Sequence, residues 1–136
     1  MDDFEILMER REEAAGAYVR GDAAPLGAIT ARRAPATFFG PMGGRVEGAD
    51  EVSSRYRRDA GLFGPEGKTH FEILNAASSG DVAFWTGIQR AVVRVGDSTE
   101  VVPMDLRVTE VFRREDGAWK LVHRHADTLV SAPSQK

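Results

Sequence analysis

Residues 101–130 read Val-Val-Pro-Met-Asp-Leu-Arg-Val-Thr-Glu-Val-Phe-Arg-Arg-Glu-Asp-Gly-Ala-Trp-Lys-Leu-Val-His-Arg-His-Ala-Asp-Thr-Leu-Val. Two runs of β-branched and aromatic residues flank Arg114-Glu115-Asp116-Gly117, and Asp-Gly is the pair that tolerates positive φ in a tight turn. The pattern predicts a long hairpin. A lone hairpin is marginal in water, so this one must be the spine of a larger curved sheet with something packed on one face.

Upstream of it, everything from Lys68 reads as strand. The runs are Lys68–Ala77, Val82–Val95, Glu100–Arg113 and Ala118–Val130, parted by turns at Ser78-Ser79-Gly80-Asp81 and Gly96-Asp97-Ser98. Helices come before them. Phe4, Leu7, Met8, Arg11, Ala15 and Tyr18 recur at three- and four-residue steps, which predicts a first helix over 3–20 with that stripe inward. A second is expected over 23–30 with Pro25 in its first turn, and a third over 50–62 with Val52, Tyr56, Ala60 and Phe63 on one face. A short strand, 35–39, precedes a glycine-rich loop, 40–45. That loop is no phosphate cradle, because no Lys-Ser/Thr pair follows it. Helices first and a four-stranded meander after them give an α+β fold: three N-terminal helices on a strongly curved, mainly antiparallel sheet. Residues 1–130 form one domain and 131–136 a flexible tail.

Composition narrows the chemistry. A chain of 136 residues, 42% hydrophobic and 29% charged, is long enough to bury one core without staples. The net charge of -3 leaves no global field for nucleic acid or anionic membrane, and the arginine clusters at 32–33, 55–58 and 113–114 read as solvated faces. The absence of cysteine removes disulfides, thiolate nucleophiles and thiolate metal sites. No apolar run is long enough to span a bilayer and the acidic start is unlike a signal peptide, so a cytoplasmic location is expected. No cofactor is expected.

The order α-α-β-α-β-β-β-β resembles that of the nuclear transport factor 2-like superfamily. Residues 33–44, 48–52 and 111–125 look like the SnoaL-like (DUF4440) group, and the closing hairpin resembles the association domain of calcium/calmodulin-dependent kinase II. The resemblance implies a cone-shaped (α+β) barrel around a pocket, dimerising through the outer face of the sheet. It also implies relatives that range from ketosteroid isomerases and polyketide cyclases to modules without chemistry, so fold alone does not assign a function.

Period two nominates the pocket residues. On Glu100–Arg113 the even positions Met104, Leu106, Val108 and Phe112 are apolar, which points Glu110 into the cone. On Val82–Val95 the test groups Val82, Phe84, Thr86, Ile88, Arg90 and Val92, with Trp85 and Gln89 opposite. The hairpin is expected to pair even with even, setting Val108 beside Arg124 and Glu110 beside Val122, so that Arg124 joins Glu110 inside. A slip of one residue would exchange Arg124 for His123 and His125. By resemblance Arg90 matches a pocket arginine of the kinase association domain, whereas Glu110 and Ala126 depart from the other two.

Each candidate has two readings. Glu110 and Arg124 form a structural ion pair, or else Arg90 and Arg124 hold a ligand carboxylate or enolate with Glu110 as base. Tyr18 is a core tyrosine or a hydrogen-bond donor to a ligand. Trp85, His123, His125 and Asp127 are ligand contacts, or the last three serve a dimer interface with Arg107 and Asp105. A metal would want a third convergent ligand, and none is assigned. The partners expected are a small hydrophobic or carboxylate-bearing molecule and a second copy of the chain. The alternative is a dimerisation module whose polar residues are structural.

Overall fold

The structure, a computed structural model, describes residues 1–130; the expected tail, 131–136, lies outside the described residues. The first helix, α1 (Asp3–Tyr18), starts at a capping box in which the Asp2 carboxylate accepts from the Glu5 N–H and the Glu5 side chain accepts from the Asp2 N–H. Its buried stripe is Phe4, Leu7, Arg11, Ala14 and Ala15. A short α2 (Ala24–Ile29) carries Pro25 near its start, where a missing N–H is harmless. In α3 (Ala49–Ala60), Asp50 and Glu51 sit in the first turn and Arg57 and Arg58 in the last, which suits the helix dipole. All three agree with the expected helices to within two residues at each end.

The strands are β1 (Thr37–Gly40), β2 (Gly43–Glu47), β3 (Lys68–Ser79), β4 (Val82–Val93), β5 (Val102–Pro103), β6 (Leu106–Glu115) and β7 (Ala118–Thr128). They form one sheet in the order β2-β1-β7-β6-β4-β3, with the short β5 beside β4. Every pairing is antiparallel except β1 with β7. The sheet is curved and does not close, because its edges β2 and β3 do not pair with each other. The glycine-rich loop is therefore partly a strand: Gly43 and Gly44, both at positive φ, open the β1–β2 hairpin. The expected strand over 100–113 is likewise two pieces, interrupted at Met104-Asp105.

Bulges supply the curvature, since an extra residue on one strand bends and twists it. One falls on β3 between Ile73 and Asn75, opposite Gly87 of β4. A Cβ on Gly87 would lie 1.9 Å from the Glu72 carbonyl oxygen, so only glycine lets the backbones approach there. Another lies in the β6–β7 hairpin. Its turn has Asp116 at φ 52 and Gly117 at φ 81, and Arg114 pairs with Trp119. Continued without interruption, that register would set Glu110 opposite His123. Instead Phe112 pairs with Leu121 and Val111 with His123, leaving Val122 over, and Glu110 then meets Arg124.

The helices cover the concave face. Phe4 makes edge contacts with Phe112 (5.6 Å) and Trp119 (5.8 Å), and Phe38 of β1 does so with Tyr56 of α3 (5.1 Å). The convex face leaves Val82, Phe84 and Val92 exposed. No helix among the described residues is long and apolar enough to cross a membrane.

Candidate functional site

Glu110 lies at the centre of the concave face and is 0% exposed. Alternation along β6 sends it inward between the buried Val108 and Phe112, as the sequence predicts. Its inward partners correct two expectations. Register places Trp85 of β4 beside it and Arg124 of β7 on the other side, where Val122 was expected. On β4 the odd positions Ala83, Trp85, Gln89, Ala91 and Val93 are the buried ones, so Arg90 points outward.

The carboxylate of Glu110 accepts four hydrogen bonds. Its Oε1 takes Arg11 Nε at 2.9 Å and Trp85 Nε1 at 2.8 Å; its Oε2 takes Arg11 Nη2 at 2.7 Å and Arg124 Nη1 at 2.6 Å. Arg124 Nη2 continues to Gln89 Oε1 at 2.8 Å, and Gln89 Nε2 donates to Thr69 Oγ1 at 3.2 Å. Phe71 stacks on Trp85 at 4.5 Å and lies under the Arg11 guanidinium at 5.3 Å. Arg11 is 2% and Arg124 9% exposed, so two guanidinium groups surround one carboxylate away from water. One polar atom in this network, Arg11 Nη1, has no partner.

The electrostatics follow from that crowding. Burial alone would push the Glu110 carboxyl up, but Arg11 and Arg124 overcome it and hold the group at about 2. Burial pushes the Tyr18 hydroxyl up to about 12 and raises that of Tyr56 further, with Arg124 and Arg11 opposing the rise in both. Both tyrosines are therefore protonated donors at neutral pH. Glu110, ionised and saturated with donors, is a poor proton acceptor. Its two oxygens hold the guanidinium groups of Arg11 and Arg124.

Tyr18 sits half-buried at the end of α1, edge-on to Phe63 at 5.8 Å. The remaining candidates stand on the convex face. Arg90 Nε reaches Glu72 at 2.6 Å and its Nη1 reaches Asp105 at 3.1 Å. Asp127 receives both Nε and Nη2 of Arg107, at 2.6 and 2.9 Å. His123 Nδ1 lies 2.7 Å from Thr37 Oγ1, and Phe39 meets the rings of both His123 and His125 edge-on. Burial, and then the charge of His125, hold His123 below the ordinary histidine range. Among the described residues no group of three His, Asp or Glu side chains converges as metal ligands would.

The structure thus joins Glu110, Arg124 and Trp85 and separates them from Arg90, His123, His125 and Asp127. Sequence reasoning missed Arg11 and Gln89 as members of the cluster. The signal for Arg11 was present: an arginine in an otherwise apolar inward stripe needs a buried counter-charge.

Comparisons with known proteins agree with this fold. A family model described as a SnoaL-like domain matches residues 8–131. No curated protein sequence matches the chain. Among solved structures, a nuclear transport factor 2-like superfamily protein from Salmonella enterica superposes with TM-score 0.79 at 13% identity, covering 98% of this chain and 95% of that one. A ketosteroid isomerase-like protein from Erwinia carotovora gives 0.75 at 17%, covering 96% and 98%. A provisionally assigned dehydratase of the NTF2-like family from Streptomyces avermitilis gives 0.73 at 21%, covering 95% of each. These likenesses establish the fold.

Proposed function

The chain belongs to the SnoaL-like domain family, and we propose that it binds a small carboxylate- or enolate-bearing molecule inside the cone, against Arg11 and Arg124. One observation carries the reading: the buried cluster holds two cations to one anion, and Arg11 Nη1 faces no acceptor. A buried charge without its counter-charge is costly, and a ligand anion offsets that cost while completing the hydrogen bonds. The carboxylate of Glu12, the next residue on α1, accepts from the Phe71 N–H instead. Isomerisation or dehydration, the reactions for which two of the similar proteins are named, would draw on Arg11, Arg124 and Tyr18 as donors to a developing enolate. Glu110 would hold the arginines in place. In this reading the protein works as a cytoplasmic homodimer, and a second copy covers the exposed apolar side chains of the convex face.

The test is a thermal-shift screen of the purified protein against small carboxylates, phenolics and steroid-like ketones, each acid paired with its neutral amide. A bound ligand raises the midpoint by mass action. Carboxylates are expected to raise it, their amides not, and Arg11→Met is expected to abolish the response. Equal shifts for acid and amide, or none at all, would overturn the reading. The second reading, an assembly module without a ligand, is favoured by the saturation of Glu110 within the protein. It predicts that Arg124→Ala alters the dimer and leaves the screen silent.

A further inference from the structure

A groove of about 370 Å³ opens between the α1–α2 turn, α2 and α3. Its volume lies within the roughly 300–1,000 Å³ of small-molecule sites. The walls are small, Gly21, Ala23, Ala24 and Gly27, and the polar groups are Ser53 and the Arg57 guanidinium. Its floor is Tyr56, which is 3% exposed. Beneath that floor the ring packs edge-on against Phe38, and the parallel register of β1 and β7 sets Phe38 beside Arg124. Two aromatic side chains, Tyr56 and Phe38, thus lie between a surface groove and Arg124. We propose that this groove is the entrance to the cluster and holds the apolar body of the carboxylate ligand, with Tyr56 as the residue that positions it over Arg124.

The inference rests on the reading of the cluster as an anion site and adds the route and the shape of the ligand: a planar or short aliphatic acid. Charge agrees with it. Arg57 is the one charged side chain lining the groove, and Asp22 beside it is committed to the Ala24 N–H at 3.0 Å. The Tyr56 hydroxyl stays protonated under the influence of burial and can donate to a carboxylate drawn past it.

Gly27 provides the test, because a Cβ built there meets nothing within 4 Å. Gly27→Phe therefore adds bulk at the groove wall with room for its Cβ, and replacing a helical glycine does not weaken α2. Wild type and Gly27→Phe are titrated with phenylacetate by calorimetry, and the labelled wild type is followed by amide chemical shifts. The expected result is an affinity about tenfold or more weaker in Gly27→Phe, an undiminished folding midpoint, and wild-type shifts at Gly21, Ala24, Gly27, Ser53 and Arg57. Unchanged affinity in the variant, or shifts confined to the convex face around Gly43 and His125, would overturn the entrance while leaving an anion site standing. No binding of phenylacetate or hexanoate by the wild type would overturn the anion site and the entrance with it.

Discussion

Both faces of the sheet carry arginine–carboxylate contacts, built from the same groups at the same distances. Inside, Arg11 and Arg124 close on Glu110 at 2.6–2.9 Å. Outside, Arg90 closes on Glu72 at 2.6 Å and Arg107 on Asp127 at 2.6 and 2.9 Å. The inner side chains are at most 11% exposed, whereas that of Arg107 is 63% exposed. Water screens the outer pairs and competes for their hydrogen bonds, so they contribute little. The inner charges have no such alternative, and each depends on its partner. Distance alone does not separate the inner pairs from the outer ones; burial and charge balance do.

The largest effect is expected from Glu110→Ala, which leaves two buried guanidinium groups without a counter-charge. Loss of stability should be on the order of 3–5 kcal/mol, read from urea denaturation. A triple replacement of Glu110, Arg11 and Arg124 by Met or Leu should regain much of it. If the single variant unfolds no more easily than the wild type, the contrast between the faces collapses.

Acid sharpens the comparison next. Glu110 is held at about 2 in the folded protein against an ordinary 4.5. A depressed folded-state value contributes stability that is fully present above about 4.5 and is lost as pH falls from there towards 2. That component should be on the order of 3 kcal/mol. Urea midpoints measured from neutral pH down to the acid limit should fall less steeply for Glu110→Gln than for the wild type. Parallel curves would show that the inner carboxylate titrates like any surface group.

The smallest effect is expected outside. Arg107→Ala should shift the urea midpoint far less than Glu110→Ala does, and salt at about 1 M, where screening lengths fall to about 3 Å, should erase the difference from wild type. A large, salt-resistant loss would mean that a second copy buries the Arg107–Asp127 pair along with the apolar side chains of the convex face.

The convex face also shows why the site was only half legible. On β4 the larger apolar residues, Val82, Phe84, Ile88 and Val92, occupy the even positions, while the odd ones include Ala83, Gly87 and Ala91. A test that sends bulk inward chooses the wrong face. In the structure the small residues leave room for Trp85 and Gln89 to reach Glu110 and Arg124, and Val82, Phe84 and Val92 stay at the surface. On β6 no such conflict exists, and the inward placement of Glu110 followed from alternation alone.

Local signals in the chain were enough for the helices, for the Asp116-Gly117 hairpin and for the α+β order, because capping, turn chemistry and periodicity act over a few residues. They were also enough to set Arg11 on the inward stripe of α1. The pairing of Glu110 with Arg124 was decided only by tertiary structure. On β7, Trp119 and Leu121 are buried at odd positions and Arg124 and Ala126 at even ones, because the extra residue Val122 reverses the alternation between them. A bulge is a property of two strands and of the curvature they share, and one strand's sequence does not contain it. Had β7 run without the bulge, His123 would face Glu110. The cluster that joins residues 11, 85, 89, 110 and 124 exists because a curved sheet and a helix bring them together across the length of the chain.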